Sequence, residues 1–201
     1  SLDSATWTEA VPTGTDAGKY TVYYKVEATN YETVLDSVEV TIGKATPVVT
    51  PPTAITGLTY TGSAQNLINA GSTTGGKLVY SLDNATWTEA VPTGTEAGKY
   101  TVYYMVEEDD NYNGVASASI EVTIANATIT VTVTANTLTY NGSAQALVTG
   151  TTSVGTIKYS LDSATWTEAV PTGTDAGTYT VYYKVEATNY ETVSDSVEVT
   201  I

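Results

Sequence analysis

The amino-acid sequence predicts an all-β chain of tandem β-sandwich repeats arranged as a rod, and three observations carry that prediction. The stretch Asp16-Ala17-Gly18-Lys19-Tyr20-Thr21-Val22-Tyr23-Tyr24 returns as Glu96 to Tyr104 and as Asp175 to Tyr183, each time within one larger frame, Ser-Leu-Asp-x-Ala-Thr-Trp-Thr-Glu-Ala-Val-Pro-Thr-Gly-Thr. The unit that repeats is therefore a whole structural module. Apolar residues alternate with polar ones at a period of two, and no helical period competes. Turn signals recur about every 8 to 12 residues, the spacing of short strands in two packed sheets.

Within the repeated stretch, Tyr20, Val22, Tyr24 and Val26 point to one face and Thr21, Tyr23 and Lys25 to the other, which makes a half-buried strand with the first set facing the core. The Asp-Ala-Gly-x-Tyr approach resembles the start of strand F in immunoglobulin-like domains, where a corner Tyr donates its hydroxyl to nearby backbone. Tyr20, Tyr100 and Tyr179 match that Tyr, but Val22, Val102 and Val181 stand where antibody domains carry a Cys, so the disulfide is absent. Val38, Val40 and Ile42 alternate with Ser37, Glu39 and Thr41 in a following strand, repeated at Ile120 to Ile124 and Val197 to Ile201. The polar segment Glu27 to Glu32 suits a hairpin connection between the two.

The Trp spacing sets the domain organisation. Trp7, Trp87 and Trp166 lie 80 and 79 residues apart, giving the second half of a repeat at 1-43 and full repeats at 44-124 and 125-201. The second repeat opens with Pro47, Pro51 and Pro52 around Val48 to Thr50, and prolines that cannot donate to a ladder predict an edge strand. Its counterpart, Ala127 to Val133, alternates cleanly. Gly62 and Gly142 break the pattern of Leu58 to Leu67 and of Leu138 to Leu147, predicting a turn or bulge there. Lys77 to Leu82 and Thr156 to Leu161 then run into the Trp segments. The links Ile42-Gly43-Lys44-Ala45 and Ile124-Ala125-Asn126-Ala127 are short enough to limit bending.

These motifs in fixed order, Leu-Thr-Tyr-x-Gly-Ser-Ala-Gln-x-Leu, then Trp-Thr-Glu, then Ala-Gly-x-Tyr-Thr-Val-Tyr-Tyr, resemble the bacterial immunoglobulin-like repeats of the MBG type over essentially the whole chain. The resemblance implies cell-surface or extracellular display, a structural stalk or adhesive role, neighbouring repeats as partners, and no catalytic residue. Two alternatives are a module binding a carbohydrate or host protein through loops at one end of the sandwich, and a bacteriophage fibre or decoration domain.

Composition narrows the chemistry. His and Cys are absent, which removes the usual nucleophilic triads and zinc sites and leaves no disulfide to reinforce repeats of this size. The net charge is −15 with seven Lys as the only basic residues, so no basic stripe offers itself to nucleic acid. No apolar run reaches the length of a membrane helix. An active site copied into every module would be unusual for a spacer, and the sequence predicts no enzyme and no required cofactor.

Three constellations remain. Glu107-Glu108-Asp109-Asp110-Asn111 is the calcium candidate, since hard cations take several oxygens on a flexible loop; the same residues also read as a solvated acidic hairpin loop. The outward Tyr23, Tyr103 and Tyr182 are candidate platforms for sugar rings, with cross-strand pairing the favoured reading, and the repeated Trp is favoured as packing. A Lys to Asn isopeptide crosslink is disfavoured, because Met105 replaces Lys25 and Lys184.

Residues 160 to 201 repeat residues 1 to 42 at an offset of 159 with two differences, Lys19 against Thr178 and Leu35 against Ser194, whereas the middle copy diverges more. We therefore expect a parent array in which two versions alternate, which separates near-identical neighbours that would exchange strands. Residues 1 to 42 lack the strands corresponding to Lys44 to Thr74 and are not expected to fold as an independent module, so the apolar face of Tyr20, Val22, Tyr24 and Val26 must be covered by upstream chain, a neighbouring molecule or a filament contact.

Overall fold

The computed structural model describes all 201 residues, and every regular element in it is a strand. The first sequence copy holds β1 (Gly18–Val26) and β2 (Val34–Ile42). The second holds β3 (Val49–Thr50), β4 (Thr53–Ala54), β5 (Gln65–Asn66), β6 (Ile68–Asn69), β7 (Ser72–Thr73), β8 (Lys77–Ser81), β9 (Thr93–Gly94), β10 (Gly98–Glu107) and β11 (Val115–Ile124). The third holds β12 (Val131–Ala135), β13 (Gln145–Ala146), β14 (Val148–Thr152), β15 (Lys158–Ser160), β16 (Thr172–Gly173), β17 (Thr178–Val185) and β18 (Val193–Thr200). All-β with several small sheets is the predicted class, and the arrangement is compatible with a β-sandwich.

Equivalent stretches of sequence make equivalent pairs. β1 pairs antiparallel with β2, Val22 opposite Val38, and β17 pairs with β18, Val181 opposite Val197. β15 adds to the outer side of β17 and β8 to that of β10. The proline-bounded strand β3 is short and pairs with β7 alone, as its missing donors require. Gly62 and Gly142 take φ of 77° and 75°, the left-handed conformation that turns the chain where alternation fails.

The chain divides into two compact units, one of Ser1–Ile55, Asn66–Thr93 and Tyr100–Val122, the other of Thr56–Gln65, Gly94–Lys99 and Thr123–Ile201. In the second unit Ile129, Leu147, Val148, Ile157 and Tyr159 pack with Val181, Val185 and Val199, so the inward phase read from the sequence is the core. In the first unit Leu67, Ile68, Val79, Tyr80, Val102, Val106 and Val122 are buried, with Val102 and Val106 on the predicted inward phase, whereas Tyr24 and Val26, predicted to face the core, are exposed because residues 1 to 42 hold only β1 and β2 of their copy. The predicted corner is formed: Tyr20 and Tyr179 donate their hydroxyls to the carbonyls of Asp16 and Asp175, at 2.7 and 2.9 Å.

The Ser-Leu-Asp-x-Ala-Thr turn ahead of each Trp is closed by its Asp. Asp83 Oδ1 accepts the N–H groups of Ala85 and Thr86 at 2.9 and 2.7 Å and the Ser81 hydroxyl at 2.7 Å. Asp3 and Asp162 do the same in their copies. The N–H of Thr86 above all, then the Ser81 hydroxyl and the Ala85 N–H, hold the Asp83 carboxyl well below the usual carboxylate range. A depressed folded pKa means the turn's contribution is complete above the unfolded value, about pH 4, and is lost as pH falls below it towards the folded value. Replacing both Asp83 and Asp162 by Asn should lower the thermal midpoint at pH 7 and flatten its fall between about pH 4 and pH 2. Equal acid sensitivity of parent and variant in a calorimetric pH series would refute this role.

Candidate interface at the repeat joints

The sequence motifs converge most clearly where one copy gives way to the next, and each of the two joints lies wholly within one compact unit. The connection between β10 and β11 presents Asn111, whose Oδ1 accepts the Ala17 N–H at 2.7 Å while its Nδ2 donates to Asp16 Oδ1 at 3.1 Å. The connection between β17 and β18 presents Asn189 in the same way. Its Oδ1 accepts the Ala97 N–H at 3.0 Å and its Nδ2 donates to Glu96 Oε2. One amide thus satisfies both a turn N–H and the carboxylate beside it, an arrangement that uses its donor and acceptor ends together.

The backbone on either side is fixed as well. Ala45 donates to the Asn111 carbonyl and accepts from Asn113 N–H, both at 2.8 Å. Lys44 Nζ donates to the Asp109 carbonyl at 2.6 Å, with Glu108 4.0 Å away. At the other joint Ala125 exchanges bonds with Leu58 and Tyr60, at 2.8 and 2.9 Å, and Ala127 with Asn189 and Glu191, at 2.9 and 2.8 Å. Tyr60 and Tyr190 meet edge to face at a centroid distance of 5.5 Å, a favoured aromatic geometry.

The five calcium candidates are therefore not alike. Glu107 ends β10 opposite Lys77, and Glu108 faces Lys44. Asp109 folds its Oδ1 back onto the N–H groups of Asn111 and Tyr112, at 2.9 and 2.7 Å, which hold its carboxyl below the ordinary range, the Asn111 bond most. Asp110 is exposed, and Asn111 is committed to the joint. No group of three or more acidic side chains is gathered at a common point.

The aromatic candidates sit on the outer phase of their strands, half-buried. Tyr103 lies opposite Ser81 and Tyr182 opposite Ser160, while Tyr23 exchanges two backbone bonds with Ser1. The Trp residues are half-buried, less enclosed than core packing predicts. Two of them carry a lysine lid that sequence reading did not foresee: Lys25 Nζ lies 4.9 Å from the Trp7 ring centre and Lys184 Nζ 4.9 Å from that of Trp166, a cation–π geometry, while Trp87, with Met105 in the lysine's place, is half-buried as well. Glu27 and Glu186 hold these ammonium groups at 3.1 and 3.3 Å. Trp7, Tyr23, Tyr24 and Lys25 line an open cleft of about 690 Å³. The role of Asn111 and Asn189 was also missed, although a signal exists: an Asn-Tyr pair recurs at 30, 111 and 189 despite the changed length of the middle connection.

No family model matches the chain, and no curated protein or solved structure matches it.

Proposed function

We propose that the chain is a run of immunoglobulin-like β-sandwich repeats arranged as a rod, serving as a non-catalytic stalk or spacer in a bacterial surface or extracellular fibre protein. The observation that supports this reading is the repeated joint: Asn111 on Asp16–Ala17 and Asn189 on Glu96–Ala97 make one set of bonds at two successive positions. A joint that recurs with the repeat carries orientation from one module to the next, which a spacer needs and an isolated binding domain does not. Its mechanism is mechanical: ladders resist extension, and short pinned links hold direction.

Strands of about 6 to 8 residues at about 3.3 Å per residue, with their end loops, give roughly 35 to 45 Å of length per repeat. Solution X-ray scattering of the 201-residue chain should return a radius of gyration of about 30 to 35 Å. A compact globule of the same length gives about 16 to 17 Å, and that value would overturn the proposal. The cleft at Trp7 and Tyr23 supports the carbohydrate-binding alternative, and saturable binding on a glycan array, abolished by Tyr23→Ala, would favour that reading over a passive spacer.

A further inference from the structure

The two joints set the same amide on the same kind of corner, yet they are built from different parts. Four residues separate the buried Val106 from Asn111 and three separate the buried Val185 from Asn189, whereas three residues follow each Asn before the next strand begins at Val115 or Val193. The extra residue of the β10–β11 connection therefore lies ahead of its Asn. The corner that each Asn meets differs in the opposite sense: the longer connection reaches the shorter acid, Asp16, and the shorter connection reaches the longer acid, Glu96. A third position changes with them, since Lys44 stands in the first link where Asn126 stands in the second.

The two connections arrive at this common end by different backbone routes. In the shorter one the Tyr190 N–H closes a turn onto the Ala187 carbonyl at 3.1 Å, and Asn189 takes a left-handed φ of 70°, which Asn tolerates better than most side chains. The first copy, whose connection has the same length, builds the same turn, with the Tyr31 N–H on the Ala28 carbonyl at 3.2 Å and Asn30 at a φ of 65°. That turn belongs to the connection's own sequence. In the longer connection Asn111 keeps a negative φ, and the Asp109 carboxylate takes over the turn by accepting the N–H groups of Asn111 and Tyr112. Lys44 Nζ then fastens this loop through the Asp109 carbonyl at 2.6 Å.

We infer that acid length, connection length and link residue form a key that decides which kind of repeat docks on which. A corner of the Asp16–Ala17 type takes a repeat with the longer connection and a Lys in the link, and a corner of the Glu96–Ala97 type takes one with the shorter connection and an Asn. One methylene moves a carboxylate by about 1.5 Å, the difference between a hydrogen bond and none, so a mismatched acid either falls short of the amide or crowds it. The amide then keeps its acceptor bond to the Ala N–H but loses the donor bond that fixes its orientation, and the wrong neighbour docks loosely. The corner acids themselves alternate along the chain, Asp16, Glu96, Asp175, as a key with two forms requires. The inference rests on the reading of repeats joined in series and adds what orders them.

The test is amide hydrogen exchange in the full 201-residue chain. Asp16 and Glu96 are both exposed, so exchanging one acid for the other leaves the cores untouched. Glu96→Asp is expected to speed exchange at the Ala97 amide about 3- to 10-fold, and Asp16→Glu to do so at the Ala17 amide, with Val102 and Val181 unchanged. Adding Asn126→Lys, and residues 107 to 111 in place of 186 to 189, to the Glu96→Asp chain should return Ala97 to its parental rate, whereas the same graft beside an unaltered Glu96 should not. Parental rates at Ala97 and Ala17 in the two single variants overturn the key, and so does a graft whose effect simply adds to that of Glu96→Asp. Where the grafted chain loses protection at Val181, the two single variants decide. Failure of the key with an extended radius of gyration leaves the stalk reading standing, and a compact radius with a coupled cycle sinks the stalk and leaves the key.

Discussion

Leu147→Ala should cost the third sequence copy about 2 to 5 kcal/mol, against a total of roughly 4 to 12 kcal/mol for a repeat of this length. The side chain is fully buried among residues from both halves of the core, and its backbone N–H is tied to Pro171, so the surroundings cannot collapse easily onto the space left behind. The measurement is native-state hydrogen exchange in mild denaturant, read at the amides of Val181 and Val199, because a chain of two compact units need not unfold as one two-state unit. Exchange there should accelerate at least about 30-fold, while the β1–β2 amides, which have no Leu counterpart to lose, stay unchanged. Unaltered protection at Val181 would mean that the two halves do not share a core.

Gly71→Ala should destabilise the second copy by about 1 to 3 kcal/mol through overpacking. A Cβ at that position would lie 2.4 Å from the Thr50 carbonyl oxygen and 2.8 Å from the Pro52 nitrogen. Both are backbone atoms in a segment stiffened by Pro51 and Pro52, so no side-chain rotation relieves the clash. The N–H of Gly71 also donates to the Tyr80 hydroxyl at 3.0 Å, and a displaced backbone would strand that buried phenol. The control is Gly43→Ala, where a Cβ meets nothing within 4 Å. Equal chemical-denaturation midpoints for the two variants would show that the Pro segment yields.

Where the sequence was legible, the reason was a two-residue period with one face buried. Val102, Val106, Val181 and Val185 follow the inward phase read from Tyr20 to Val26, because a shift of one residue would expose them all. The prolines around Val49 and the glycines at 62 and 142 were equally readable, since each restricts backbone geometry by itself. Trp7 and Trp166 were not. Each lies under the lysine of a strand of its own copy, and a period of two says only that Lys25 and Lys184 point outward, not what they lie across. The joint was further out of reach, because Asn111 meets Ala17 over 94 residues of sequence, and only the recurrence of Asn-Tyr hinted that those side chains have one job.

The pinned link after the second copy has a consequence for recovery after damage. Ala125 is bonded towards Leu58 and Tyr60, and Ala127 towards Asn189 and Glu191, so Asn126 alone keeps two uncommitted torsions. A tether of one residue has no coil to explore, and closing it again costs almost none of the entropy that a longer loop would demand. If force or heat breaks the Asn189 bonds, the separated groups remain at the high effective concentration set by that tether. Reannealing is then an intramolecular step independent of protein concentration.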